Sequence, residues 1–115
     1  MTEQQIQRLE GIFNELGEKP TGETCKGMKG VIAEGDGLVG KGNDPAVIDA
    51  SIITSCQRVE HYEMAGYGTV RTFAQQLGRQ EWARILDQTL NEEKEADQLL
   101  TQIAERVNVQ ADKAA

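Results

Sequence analysis

Glu63 and Glu93 sit where apolar residues belong. On the segment 45–77, Ile52, Cys56, Val59, Glu63, Val70, Ala74 and Leu77 recur at spacings of three, four and seven. On the segment 79–107, Trp82, Ile85, Leu86, Glu93, Ala96, Leu100, Ile103 and Val107 do the same. This is the periodicity of amphipathic helices. A carboxylate in the centre of such a stripe is costly unless it is protonated, paired or bound to a cation. Glu60 lies one helical turn before Glu63, so both carboxyl groups can reach one point. Glu92 flanks Glu93, and Asp97 follows four residues later. Carboxylates converging from facing helices form the oxygen-rich ligand set suited to iron and manganese. A second reading stands beside this one. Long helices also use buried polar residues to set register or to pair with arginine, and Arg8, Arg58, Arg71 and Arg84 are available.

Other chemically capable residues carry less. His61 is the single histidine and falls nearly opposite the apolar stripe, which predicts a surface or interface position. Tyr67 lies on the buried side and can serve as a hydrogen-bond partner of a carboxylate, or simply pack. Trp82 and Phe73 read as core. Cys56 falls on the stripe and reads as a small core residue, whereas Cys25 sits in a glycine-rich loop with no assigned role. The two cysteines make neither a disulfide framework nor a zinc motif.

The elements that must position these groups are helices. Residues 2–16 place Ile6, Leu9, Phe13 and Leu16 on one face, ended by Gly17 and Pro20. The segment 17–44 is a crossover holding most of the chain's 12 glycines, among them Gly22, Gly27, Gly30, Gly35, Gly37, Gly40 and Gly42. One or two short helical turns are expected there, around Met28, Val31, Ile32, Leu38 and Val39. No Gly-Lys-Ser/Thr follows these glycines, so they do not form a phosphate-binding loop. Asn43-Asp44-Pro45 starts a long helix with Asp44 as N-cap. It runs over 45–77, interrupted locally by Gly66 and Gly68 and stopped by Gly78. A second long helix covers 79–107, antiparallel to the first, and the tail 108–115 is expected to fray. Nothing alternates with the period of a strand. The expectation is a single all-α domain over 1–115.

The chain has 115 residues, with 12 Lys+Arg against 19 Asp+Glu and a net charge of −7. With no basic stripe, nucleic acid is not an expected partner. No run reaches the roughly 18 apolar residues of a membrane span, and no signal peptide is evident, so a cytoplasmic protein is expected.

The stretch from Gln57 to Thr69, Gln-Arg-Val-Glu-His-Tyr-Glu-Met-Ala-Gly-Tyr-Gly-Thr, resembles the signature of the bacterial YciE/YciF family. Three further passages resemble the same family over nearly the whole chain. They are Arg8-Leu9-Glu10 through Leu16-Gly17-Glu18-Lys19-Pro20, Cys25-Lys26-Gly27-Met28 with Glu34-Gly35, and Thr89-Leu90-Asn91-Glu92-Glu93-Lys94 with Asp97. The resemblance implies a ferritin-like helical bundle, a dimeric cytoplasmic protein associated with stress responses, and a carboxylate site. By position, Glu60, Glu63, Glu92 and Glu93 match the family's acidic residues, which implies a dinuclear iron or manganese centre. One departure stands out. The family's first helix, with its own acidic residue, and the start of its second helix have no counterpart before Met1. The bundle is thus expected to look truncated at its N-terminus, with a second subunit completing it as a homodimer or higher homo-oligomer. The alternative expectation is a non-catalytic structural or interaction scaffold without metal.

Overall fold

The computed structural model describes residues 1–41 and 44–114, so Gly42, Asn43 and Ala115 lie outside the described residues. Four helices follow one another: α1 (Thr2–Leu16), α2 (Lys26–Val39), α3 (Pro45–Gln76) and α4 (Gln80–Ala114), with no strand among the described residues. The all-α architecture with two long antiparallel helices is the one expected.

Local chemistry fixes the helix ends. Asp44 caps α3 by accepting a hydrogen bond from the Ala46 amide at 2.8 Å, with Pro45 in the first turn. The α3–α4 turn is built on Gly78, whose φ of 74° suits a residue without Cβ. There the Gly78 amide donates to Gln75 O at 3.0 Å and the Arg79 amide to Ala74 O at 2.9 Å, the double closure of a Schellman motif. Gly17 ends α1 in the same way.

Two expectations about extent need correction. The crossover holds one helix of 14 residues, α2, rather than isolated turns. Its glycines are the reason. The space a Cβ would need at Gly27 is filled by the Tyr62 ring, and at Gly35 it would meet the Ser55 side chain at 3.0 Å. These glycines stand eight residues apart and face α3, so they let α2 lie close against it, running antiparallel. That packing offsets the poor helix propensity of glycine. The expected tail is also helical to Ala114, because 108–114 contains no glycine or proline to stop α4 and Lys113 suits its last turn.

The α3 stripe is placed differently from the expectation. The seam against α4 follows Ile53, Glu60, Tyr67 and Ala74, a strict interval of seven. Ile53 and Ala74 are buried there, while Ile52, Val70 and Leu77 of the expected stripe are 42%, 40% and 72% exposed. Cys56 and Phe73, read as core, are exposed as well. The expected stripe faces the flank of the α3–α4 pair, where α2 covers part of it and a groove leaves the rest open. On α4 the stripe holds: Trp82, Leu86, Glu93 and Val107 are buried.

The compact end of the molecule lies by the Gly78 turn. Ala74, Trp82, Ala83 and Leu86 form the core there, with Leu9, Ile12 and Tyr67 packed against it. Helix α1 packs on α4, and α3 packs on α4, but the backbones of α1 and α3 do not meet. The three helices therefore occupy three corners of a bundle. A groove runs between α1 and α3 with α4 as its floor.

The glycine contacts predict opposite outcomes at neighbouring positions. Gly35→Val drives two branches into Ser55 and is expected to lower stability by ~1–3 kcal/mol. Gly37→Ala meets nothing within 4 Å and is expected to raise it by up to ~1 kcal/mol. Urea denaturation of both variants reads this, and equal effects at the two positions would refute the close α2–α3 contact.

Candidate functional site

Glu60, Glu63 and Glu93 line one cavity of about 300 Å³ in the groove, together with Met1, Thr2, Gln5, Ile6, Val59 and Tyr67. Helix α3 brings Glu60 and Glu63 to it one turn apart, and α4 brings Glu93 across the seam. Glu93 is buried, and Glu60 and Glu63 are half-buried. Tyr67 also borders an adjoining apolar cavity with Leu9, Gly66 and Val70.

Glu92 behaves differently. Arg8 grips both of its oxygens, at 2.6 and 2.9 Å, and also donates to Thr89 at 3.0 Å. That guanidinium holds the Glu92 carboxyl below the usual carboxylate range and is itself pushed up. The sequence grouped Glu92 with the other three acids; the structure turns it to arginine, the alternative use of a buried carboxylate.

Sequence reasoning missed Gln5. It is buried, and its amide donates to Glu93 at 2.6 Å and to Glu92 at 3.2 Å. The signal was present as a polar stripe. Gln5, Arg8, Ile12 and Glu15 recur at three, four and three, and this face meets α4. Glu15 accepts a short hydrogen bond from the Trp82 indole, and Arg79 stacks 4.4 Å from that ring. The apolar face of α1 borders the groove, leaving Ile6 51% exposed.

On the outer side of the seam, His61 is exposed as expected and meets Asp97 at 3.1 Å. Gln57 reaches Thr101 at 2.8 Å, and Arg71 reaches Asp87 at 2.6 Å. These polar pairs tie α3 to α4 beside the cavity.

The electrostatics follow from crowding. Burial pushes the Glu60 carboxyl from its ordinary 4.5 to about 8, aided by a hydrogen bond and repulsion from Glu93, then by Glu63 and Asp97. Glu63 is raised by burial and then by Glu93. Tyr67 is raised by burial and by the same two acids. Glu60 Oε2 is buried with no hydrogen-bond partner.

An orphaned buried carboxylate oxygen among further carboxylates is the donor chemistry of a hard divalent cation. In the arrangement seen, no three His, Cys, Asp or Glu side chains among the described residues converge tightly enough to hold one. Glu60, Glu63 and Glu93 border a common space, so rotation about their side-chain bonds is what ligation requires. The donor set fits; its geometry is not preassembled.

The proton on Glu60 has a thermodynamic signature. A carboxyl with a raised folded pKa holds its proton more tightly folded than unfolded. Its contribution is complete below the ordinary 4.5 and is lost as pH climbs to about 8. Glu92 acts in the other direction, adding stability above the ordinary range that is lost as acid reaches its lowered value. Metal-free protein is therefore expected to lose stability from about pH 5 to about pH 8, and Glu60→Gln to flatten that slope. Urea midpoints across the range test this; parallel slopes for parent and variant would exclude a protonated Glu60.

Comparison with known proteins places the chain. The family model described as a domain of unknown function, DUF892, matches residues 1–113. Protein YciF of Escherichia coli K12 is 39% identical over 116 residues, covering 99% of this chain and 70% of the relative. The crystal structure of the E. coli stress protein YciF superposes with a TM-score of 0.86 at 38% identity, covering 92% of this chain and 67% of that one. YcfI of Rhodopseudomonas palustris, a candidate structural protein, gives a TM-score of 0.83 at 44% identity, covering 87% and 64%. The chain thus spans about two-thirds of the length of these solved relatives. No described helix is long and apolar enough to cross a membrane. With a family match along nearly its whole length and a fold shared with the YciF crystal structure, the chain belongs to the DUF892 family.

Proposed function

We propose that this chain is a stress-associated protein whose carboxylate cavity binds divalent iron or manganese. The observation that carries the reading is the meeting of Glu60, Glu63 and Glu93 on one half-buried cavity, with Glu60 Oε2 lacking any partner. The likeness to a named stress protein supports the physiological setting. Glu60, Glu63 and Glu93 hold the ion, and Gln5 and Tyr67 border it. When bound, such an ion supplies one-electron exchange with oxygen species. A bound cation also stabilises the ionised carboxylates that burial and mutual repulsion disfavour, so uptake releases protons.

A scaffold without metal is the second reading. It is favoured by the absence of a preassembled three-ligand cluster among the described residues, and by the likeness to YcfI. On that reading the acids serve only register and packing.

Assembly belongs to the proposal. The groove and its α3 rim expose Ile6, Val70, Phe73 and Leu77, at 51%, 40%, 60% and 72%. Each large apolar side chain gains roughly 1.5–3 kcal/mol when fully buried. A second copy covering this face through a two-fold interface is the assembly we expect. Sedimentation equilibrium at low micromolar concentration reads it, and a well-folded monomer there would reject it.

Metal analysis of protein purified without chelators, followed by Mn²⁺ titration, tests the cavity. Glu63→Gln and Glu93→Gln are expected to weaken Mn²⁺ binding by ~10-fold or more. Glu92→Gln is expected to spare binding and lower the melting temperature, because it leaves Arg8 without its carboxylate. If the parent protein takes up no Mn²⁺, the scaffold reading prevails.

A further inference from the structure

We propose that a hollow on the outer side of the α3–α4 seam, lined by Arg71, Gln75, Gln80 and Arg84, binds the phosphate group of a small hydroxylated phosphomonoester. The site lies away from the groove and does not depend on the metal reading.

The spacing of the lining residues builds the hollow. Arg71 and Gln75 stand one turn apart on α3, and Gln80, Arg84 and Asp87 follow at four and three on α4. Ala83 is buried among them and is too small to fill the space. The result is a hollow of about 320 Å³ beside the Gly78 turn, and Asp87 is the single acid that lines it among the described residues. Two guanidiniums against one carboxylate leave the hollow positive, in a chain whose net charge is −7.

Neither guanidinium is fully used. Arg71 donates from Nη1 to Asp87 Oδ1 at 2.6 Å, while its Nε is buried without a hydrogen-bond partner. A buried donor left unpaired is costly, so Arg71 has a use for a further acceptor. Arg84 was available to pair with a buried carboxylate, but it is exposed and forms no salt bridge among the described residues. Two guanidiniums lining one space suit an oxyanion, which they hold through planar sets of N–H donors. Helix α4 begins at Gln80, so the positive end of its dipole adds to the attraction. A phosphate group alone does not fill the volume. The Gln75 and Gln80 amides each offer donors and an acceptor, which suits hydroxyl groups on a short carbon chain beside the phosphate.

The experiment is heteronuclear NMR of the full chain, read at the Arg71 and Arg84 Nε–H groups and the Gln75 and Gln80 side-chain amides. The probes are glycerol phosphate, inorganic phosphate, glycerol and chloride, each at the same ionic strength. Glycerol phosphate is expected to give saturable shifts and to bind more tightly than inorganic phosphate, with no response to glycerol or chloride. Arg84→Gln removes a guanidinium that pairs with nothing in the fold. It is expected to weaken binding by ~10-fold and leave melting unchanged. Arg106→Gln makes the same charge change at an exposed position far along α4 and is expected to bind like the parent. Asp87→Asn removes the acid that competes for Arg71 and is expected to tighten binding several-fold. Arg84→Gln and Arg106→Gln carry the test if Asp87→Asn does not fold. Chloride binding as strong as phosphate binding, equal losses in Arg84→Gln and Arg106→Gln, or no gain in a folded Asp87→Asn would overturn the inference. So would inorganic phosphate binding as tightly as its glycerol ester.

Discussion

The burial of Glu60, Glu63 and Glu93 beside one another is the constraint on which the site depends. Three carboxyl groups share one half-buried cavity, and ionising all of them there without a compensating charge is costly. The chain lowers that cost in two ways. Glu60 keeps a proton to about pH 8. Helix α1 supplies a donor to Glu93 and removes Glu92 from the group by pairing it with arginine. The cavity, the groove above it and the polar face of α1 are all arranged around that charge. A buried acid cluster of this kind is weak evidence for stability as such.

The same constraint explains how α1 is held. A short amphipathic helix would ordinarily dock by its apolar face. Here the face against α4 carries Gln5, Arg8, Ile12 and Glu15, and much of the apolar edge borders the groove. Polar docking is directional. It fixes the register of α1 against α4 more sharply than a greasy stripe would, because each hydrogen bond fails when the helix slides by a turn. Apolar packing of Leu9 and Ile12 on the Trp82 core adds cohesion without that precision.

Much of the fold was legible because helix signals are local. Asp44-Pro45, Gly17 and Gly78 marked their boundaries through capping chemistry alone, and α4 announced its buried face by its period. The tail of α4 and the continuity of α2 were harder to read. The first depends on the absence of a breaker, and the second on Tyr62 and Ser55 of another helix filling the space beside Gly27 and Gly35. The α3 seam was misread for a physical reason. Its most apolar line, through Ile52, Cys56, Val59 and Val70, faces α2 and the groove, while the seam against α4 mixes Ile53 and Ala74 with Glu60 and Tyr67. Hydrophobicity marks a face that wants cover, without naming what covers it. For the site, spacing brought out Glu60, Glu63 and Glu93. It had no means to separate Glu92 from them, because Arg8 lies 84 residues away in sequence. Gln5 lay on a legible polar stripe of α1, but its partners are 87 and 88 residues distant, so spacing could not say what that stripe meets.

Those sequence separations have a kinetic meaning. The α3–α4 hairpin closes through a turn of a few residues, so its loop-closure entropy is small and it can form early. Helix α1 must return across the whole crossover and the length of α3 to reach α4, and it is held there by a handful of polar contacts and by Leu9 and Ile12 on the Trp82 core. It is therefore the last element to dock and the first to leave. Its detachment is a sub-global opening that leaves the hairpin intact. Because α1 forms one wall of the carboxylate cavity, the chain can expose its acids to solvent and close over them again without unfolding.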